Sequence, residues 1–320
     1  MSSHSTAWDV RRLPDARGRH FLVTGGNAGI GYFVAEQLAG TGATVILGSR
    51  DPARAETAAL SIRSRVPDAR VRHVPLDLAD LASVETGVEA LGLESLDAVV
   101  CNAGVLLDHP PRRETGDGHE LMFATNHLGH FALVARLAPL LAAAPAARVV
   151  TTGSLTARSE TLDLDDLQSV RDYRPKRTYA RSKLAQMLFG FELDRRLRAA
   201  GATTRSVVTH PGGALDSLTP SRPIRLRTTG ERLRGLPAGL LLQGKEAAAW
   251  PAVRAVLDPS VRGGQLWGPR VLGIRGLPVL EPVRGHMADE VLAGRLWDVS
   301  AALTGLDPFA DAPGGTPRPC

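Results

Sequence analysis

The chain is short of cysteine, of lysine, of net charge and of long apolar runs. Two cysteines, Cys101 and Cys320, are too few for a disulfide framework or a cysteine-rich metal site, and no metal is expected. No apolar run approaches the roughly 18 residues of a membrane span. The longest, Leu137–Ala147, is broken by Pro139 and Pro145. Met1–Arg19 is polar and lacks the apolar stretch of a signal peptide, so a cytoplasmic location is the default expectation. The net charge of +5 is small and spread along the chain, which argues against a nucleic-acid partner. Lysine occurs only at Lys176, Lys183 and Lys245, and the other 35 of the 38 basic residues are arginine. That bias fits a GC-rich genome, and it singles out each lysine.

What is present reads as a globular chain. At 320 residues, 43% hydrophobic and 22% charged, it is long enough for a self-sufficient core. Short apolar or β-branched runs occur at His20–Thr24, Thr44–Leu47, Val71–Pro75, Leu96–Cys101, Arg148–Thr152 and Arg205–Thr209. Helical spacing fills the intervals at Ile30–Ala39, Ala53–Arg65, Leu81–Leu91, Glu120–Ala144 and Thr178–Ala200, and again at Met287–Leu303. This alternation predicts an α/β fold, a doubly wound parallel sheet with helices on both faces. One catalytic domain is expected over 17–305, with a flexible arm at 1–16 and a disordered, proline-rich tail at 306–320. Leu257–Leu280 is rich in glycine and proline and carries no assigned element. The segment 216–243 holds three prolines and five arginines (Arg222, Arg225, Arg227, Arg232, Arg234) and reads as a mobile or partly helical excursion, a substrate lid. Its mixture of basic and apolar residues would also suit a membrane surface.

Three local patterns carry chemistry. The first strand runs into Gly25-Gly26-Asn27-Ala28-Gly29-Ile30-Gly31 and a helix. Such a turn lets backbone N–H groups approach a pyrophosphate at a helix N-terminus, although a glycine turn alone is weak evidence. The second strand ends at Ser49-Arg50. A basic residue there accommodates the 2′-phosphate of NADP, where an acid would take the ribose hydroxyl of NAD. NADP(H) is therefore preferred and NAD(H) kept open, since Asp51 follows directly. The third pattern is Tyr179-Ala180-Arg181-Ser182-Lys183. Tyr and Lys one helical turn apart share a face, and a nearby cation favours the phenolate. That suits proton transfer at an alcohol oxygen. Ser154 follows the fifth strand, at the sheet edge where ligands bind in this architecture.

With these residues together, the sequence resembles the short-chain dehydrogenase/reductase family over about residues 17 to 305. Asp77-Leu78 is similar to the family's Asp-Leu beside the adenine, and Asn102-Ala103-Gly104 to its Asn-Ala-Gly. Asn126, Ser154, Tyr179 and Lys183 match the catalytic tetrad, and Pro211-Gly212 the Pro-Gly near the nicotinamide. The 25 residues from Ser154 to Tyr179, with Asn126–Phe131 and His210-Pro211-Gly212, are similar to the retinol-dehydrogenase-like and protochlorophyllide-reductase-like branch. Thr6–Asp9, Trp267–Pro269 and Leu296-Trp297 look like actinobacterial members. Three positions depart from the pattern: Gly153 replaces a serine, Arg181 a small residue, and Asp216 the Thr or Ser that helps hold the nicotinamide amide.

The resemblance implies hydride transfer between nicotinamide C4 and a ketone or secondary alcohol, with Tyr179 as general acid and Ser154 on the substrate oxygen. Lys183 would lower the Tyr179 pKa and hold the ribose, and Asn126 would hold a relay water. The substrate is expected to be a small, fairly apolar molecule, with secondary metabolism as a setting. The same site could instead run redox-neutral tailoring, such as cyclisation, epimerisation or dehydration, and a non-catalytic cofactor-binding role is the weakest alternative. Homodimer and homotetramer both stay open. His127, His130 and His210 are read as packing or hydrogen-bonding residues, and Cys101 as a core residue.

Overall fold

The computed structural model describes residues 8–226, 230 and 236–309. Their organising element is one eight-stranded sheet. Strands β1 (His20–Thr24), β2 (Thr44–Ser49), β3 (Arg70–Pro75), β4 (Ala98–Cys101), β5 (Arg148–Thr152), β6 (Arg205–Thr209), β7 (Leu266–Val271) and β8 (Arg275–Glu281) lie in the order β3-β2-β1-β4-β5-β6-β7-β8. All pairs are parallel except β7–β8. Helices α1 (Gly29–Ala39), α2 (Pro52–Arg63) and α8 (Trp250–Leu257) cover one face. Helices α3 (Leu81–Glu89), α5 (Gly129–Ala143) and α6 (Pro175–Ala199) cover the other, and α9 (Glu290–Thr304) packs on them.

Alternation along the strands decides which face each side chain serves. Phe21, Val23, Val45 and Leu47 join the α1/α2/α8 cluster, while Leu22, Ile46 and Val99 join the α3/α5/α6 cluster. Both faces are buried, which is why the strands read as continuous apolar runs. Carboxylates start α2, α3 and α9: Asp51 accepts from Arg54 N–H, Asp80 from Ala82 and Ser83, and Asp289 from Leu292.

Several expectations are corrected. Leu257–Leu280 holds β7 and β8. Pro269 and Pro278 oppose each other in that hairpin; Pro278 lies on β8, the sheet edge, and Pro269 lies beyond the two β7 residues that pair with β6. The helix expected over Glu120–Ala144 is interrupted: α4 (Leu121–Phe123) passes through a π turn at Ala124–Leu128 before α5. The arm is fastened from Trp8 onward, because the Arg254 guanidinium lies 5.8 Å over the Trp8 ring and 4.1 Å over Trp267. At the other end Leu306 and Phe309 pack on the core, with Phe309 5.8 Å from Trp297. Residues 1–7 and 310–320 lie outside the described residues.

The excursion is held at both ends. Arg222 is buried and bonds both Glu36 oxygens on α1 at 2.7 Å, and Glu246 at 3.0 Å. Helix α7 (Lys245–Ala248) then returns the chain. Arg227, Arg232 and Arg234 lie outside the described residues. Among the described residues, no helix is long and apolar enough to cross a membrane, and no group of three or more His, Cys, Asp or Glu is placed to hold a metal.

Candidate active site

The strand order reverses between β1 and β4, so connections leave to opposite sides and a crevice opens at the carboxyl ends of the strands. The expected residues fall along that edge, because Thr24 is level with Gly48, Ser49 with Pro75, Cys101 with Thr151, and Thr152 with Thr209.

The glycine turn is built by close contact. Gly25 N–H donates to the Gly48 carbonyl at 2.8 Å, and Gly25 adopts φ +65°. A Cβ on Gly31 would lie 2.4 Å from both the Asn102 amide and the Gly25 carbonyl, so only glycine lets α1 start against β4. Asn102 Nδ2 donates to the Thr24 carbonyl at 3.0 Å, and the Thr24 hydroxyl accepts from Asn102 and Ala103 N–H at 2.9 and 3.0 Å. Asn27 and Ile30 are half-buried at the mouth. Asp77 Oδ1 accepts from Ala79 N–H at 3.0 Å beyond β3. The Leu78 carbonyl sits where a Cβ on Gly129 would intrude at 2.1 Å, which brings α5 onto that loop.

These residues fit a dinucleotide on three observations. No side chain caps α1, so its first N–H groups remain for an anion. The Ser49 Oγ is buried without a hydrogen-bond partner. Arg50 beside it is exposed and makes no ion pair among the described residues. Asp51, the next residue, is turned to the α2 N-terminus and to Arg54 at 3.3 Å.

The tetrad residues converge at the centre of the edge. Tyr179 is half-buried on α6. Burial raises its pKa, and a hydrogen bond with the Ser154 hydroxyl opposes the rise. Ser154 Oγ also receives the Thr156 hydroxyl at 2.9 Å. Gly153 before it leaves room for Met187, whose Sδ would sit 2.5 Å from a Cβ there. Asn126 lies in the π turn, fully buried. Its Oδ1 accepts from Val105 N–H at 2.7 Å, and its Nδ2 donates to the Val105 carbonyl at 3.1 Å and to Ser182 Oγ at 2.8 Å. Ser182 in turn donates to the Tyr179 carbonyl at 2.7 Å. The Asn126 amide thus has both protons committed, and it clamps the end of β4 to α6.

Lys183 departs from expectation. Its ammonium donates to the Thr152 carbonyl at 2.7 Å and to Gln186 Oε1 at 2.6 Å, not toward the tyrosine oxygen. Burial pushes its pKa down to about 7. In this arrangement burial, and not the lysine, sets the direction of the Tyr179 shift. Two acceptors leave the third proton of a charged ammonium for another partner.

Sequence reasoning overlooked the second layer. Gln186, one turn after Lys183, donates to the Cys101 carbonyl at 3.1 Å. His130 faces the Asn126 carbonyl at 3.1 Å and the Thr24 hydroxyl at 2.9 Å. Nδ1 also lies 3.3 Å from Gln186 Nε2, and the Thr24 hydroxyl also donates to the Val100 carbonyl at 3.2 Å. Burial pushes the His130 pKa down to about 3, so the ring stays neutral. The i, i+3 spacing of Lys183 and Gln186 was the available signal. Pro211 and Gly212 follow β6. The Pro211 carbonyl accepts from Gln243 at 2.9 Å, and Gly212, at φ +69°, passes within reach of the Ile274 carbonyl. Asp216 pairs with Lys245 at 2.8 Å and Arg225 at 3.3 Å. Arg181 is half-buried and not fully solvated.

A family model for short chain dehydrogenases matches residues 19–163. A polyprenol dehydrogenase of Mus musculus is 40% identical over 92% of this chain and 86% of its own length. Retinol dehydrogenase 13 of Homo sapiens is 35% identical over 91% and 86%. The crystal structure of an uncharacterised protein from Mycobacterium paratuberculosis superposes with a TM-score of 0.77 at 33% identity, covering 94% of this chain and 99% of that one. The chain belongs to the short-chain dehydrogenase/reductase family, in the company of retinol and polyprenol dehydrogenases. It is therefore an oxidoreductase of a family that binds NAD(P).

Proposed function

We propose that this chain is an NADP-dependent enzyme that moves a hydride between nicotinamide C4 and the carbonyl or alcohol carbon of a small apolar substrate. One observation carries the reading: Tyr179, Ser154 and Lys183 converge at the strand-end crevice, a few strands from the buried, unpartnered Ser49 hydroxyl. When bound, the cofactor supplies or accepts the hydride. The chain's own residues handle position and protons.

In reduction, Ser154 donates to the substrate oxygen and stabilises its growing charge. Tyr179 gives that oxygen its phenolic proton. A phenol whose pKa burial raises is held protonated at neutral pH, which suits this direction. The third Lys183 proton holds the ribose hydroxyls. Glycines 25, 29 and 31, with Asn27 and Ile30, cradle the pyrophosphate. Ser49 and Arg50 take the 2′-phosphate, Asp77 and Leu78 the adenine, Asn102, Ala103 and Gly104 the ribose side, and Pro211 and Gly212 the nicotinamide.

Two relatives named for a retinol and a polyprenol favour an apolar alcohol or its aldehyde. Leu240, Leu241 and Leu272 are exposed, and Arg275 ties their segments together beside Gly213. They supply an apolar rim, and the segment around them acts as the lid. A cytoplasmic setting belongs to the same proposal. The test is NADPH and NADH oxidation at 340 nm with retinal and a short polyprenal. Tyr179→Phe should lose nearly all turnover and keep its NADPH affinity within about twofold. Full activity in that variant would reject the assignment.

A further inference from the structure

Three loops that frame the site are tied by one carboxylate that none of the roles above uses. Ser154 opens the turn Leu155–Ser159, which carries Arg158. His210 follows β6 and precedes Pro211-Gly212. Glu281 ends the edge strand β8, 71 residues further on. The His210 side chain is 1% exposed and that of Glu281 13%.

The hydrogen bonds fix the proton on His210. Gly212 N–H donates to His210 Nδ1 at 3.3 Å, so Nδ1 presents its lone pair. Nε2 therefore carries the proton and donates to Glu281 Oε1 at 3.1 Å. The second Glu281 oxygen accepts from Arg158 Nη2. Arg158 Nη2 and His210 Nε2 lie 3.4 Å apart as two donors that share one carboxylate. β7 passes directly beneath: a Cβ on Gly268 would sit 2.1 Å from His210 Nε2 and 2.4 Å from Glu281 Oε1. Only glycine permits this approach, so the contact is built into the sheet. Burial alone would raise the Glu281 pKa, but His210 and Arg158 outweigh it and hold the group ionised.

We propose that Glu281 is a positioning residue that locks His210 in its Nε2–H tautomer and, through Arg158, sets the spacing between the Ser154 turn and the Pro211–Gly212 loop. The proposal rests on the reading of those two loops given above. The locked tautomer presents Nδ1 to Gly212 N–H and so shapes the loop assigned to the nicotinamide. Arg158 holds the turn that presents the Ser154 hydroxyl. Glu281 itself touches neither substrate nor cofactor.

The test compares wild type, Glu281→Gln, Glu281→Asp and Arg158→Gln. The probes are NADPH, which fills the whole crevice, and 2′,5′-ADP, which fills only its adenosine half. Glu281→Gln should weaken NADPH about tenfold, the scale of one lost charge-assisted hydrogen bond, and leave 2′,5′-ADP unchanged. The ¹⁵N shifts of His210 should show loss of the single tautomer. Glu281→Asp, which keeps the charge on a shorter stem, should recover part of the NADPH affinity. Arg158→Gln changes a side chain that is 40% exposed, so folding is not at issue. It should lower kcat severalfold with NADPH affinity kept. A shifted tautomer with unchanged NADPH affinity, an unshifted tautomer, or equal weakening of both probes would overturn the clamp. Wild-type protein that binds neither NADPH nor NADH would instead overturn the functional reading, and the clamp's role with it.

Discussion

Lys183→Met isolates what burying the lysine costs the fold. The Lys183 pKa falls from 10.5 to about 7, chiefly because burial disfavours the charged form. At 1.36 kcal/mol per pH unit, that fall corresponds to about 5 kcal/mol. The sign follows from linkage. Between about 7 and 10.5 the unfolded chain holds the proton and the folded chain does not, so stability rises with pH across that window. Below about 7 both states hold it, and the penalty is present in full. Methionine fills a similar volume without charge, but it leaves the Thr152 carbonyl and Gln186 Oε1 without their donor. Each such loss costs about 1–3 kcal/mol at every pH.

The absolute difference between the two proteins thus mixes opposing effects, whereas its pH dependence does not. All other titrating groups are common to both and cancel. Urea unfolding at pH 7 and pH 9.5 should show the wild type gaining about 3 kcal/mol on the variant between the two. The variant should be inactive at both. In the wild type, kcat/KM for reduction should fall as pH rises through about 7, because the free enzyme then loses the ammonium. Parallel stability curves would refute the argument, since they would mean that the buried lysine keeps its ordinary pKa.

Arg50→Gln should weaken NADPH by about tenfold or more and leave NADH unaffected, measured by fluorescence titration, because Arg50 is exposed and pairs with no acid among the described residues, and the proposed partner is the 2′-phosphate. Equal effects on both cofactors would remove the basis for the NADP preference. Trp297→Ala should cost about 3–5 kcal/mol in urea unfolding. The ring is 2% exposed, meets Phe131 edge-on at 4.9 Å, and carries the Arg196 guanidinium 4.6 Å above it. A cost under about 1 kcal/mol would mean that α9 is not seated on α5 and α6 in solution.

The first six strands were legible because most are short apolar runs buried on both faces, and because turns or helices separate them. The hairpin β7–β8 was not, since Pro269 and Pro278 read as breakers until the sheet edge and the end of the β6 pairing make them harmless. The π turn leaves no mark on a helical periodicity that continues on both sides of it. At the site, the residues could be placed but not their directions. Spacing puts Tyr179 and Lys183 on one helix face, yet a four-carbon side chain turns to the nearest acceptors. Those are Thr152 on β5 and Gln186 one turn on. Glu281 was invisible for a related reason: its partners His210 and Arg158 come from loops 71 and 123 residues away.

The scarcity of lysine then acquires a physical sense at the site. Arg148 shows what burial does to the commoner cation. It is 7% exposed, donates to the Ala255 carbonyl at 2.8 Å, and has its pKa pushed down to about 10. A guanidinium so placed still keeps its charge at every physiological pH. The same force on Lys183 brings the ammonium to about 7, where a proton moves with little free-energy change. The two cations also differ in shape. A compact ammonium fits between the Thr152 carbonyl and Gln186 Oε1 with one donor to spare, whereas a planar fork demands acceptors in its own plane. An arginine at 183 would supply charge without titration. A chain that uses arginine 35 times keeps lysine at the position where the function proposed above calls for both a reversible proton and a single free donor.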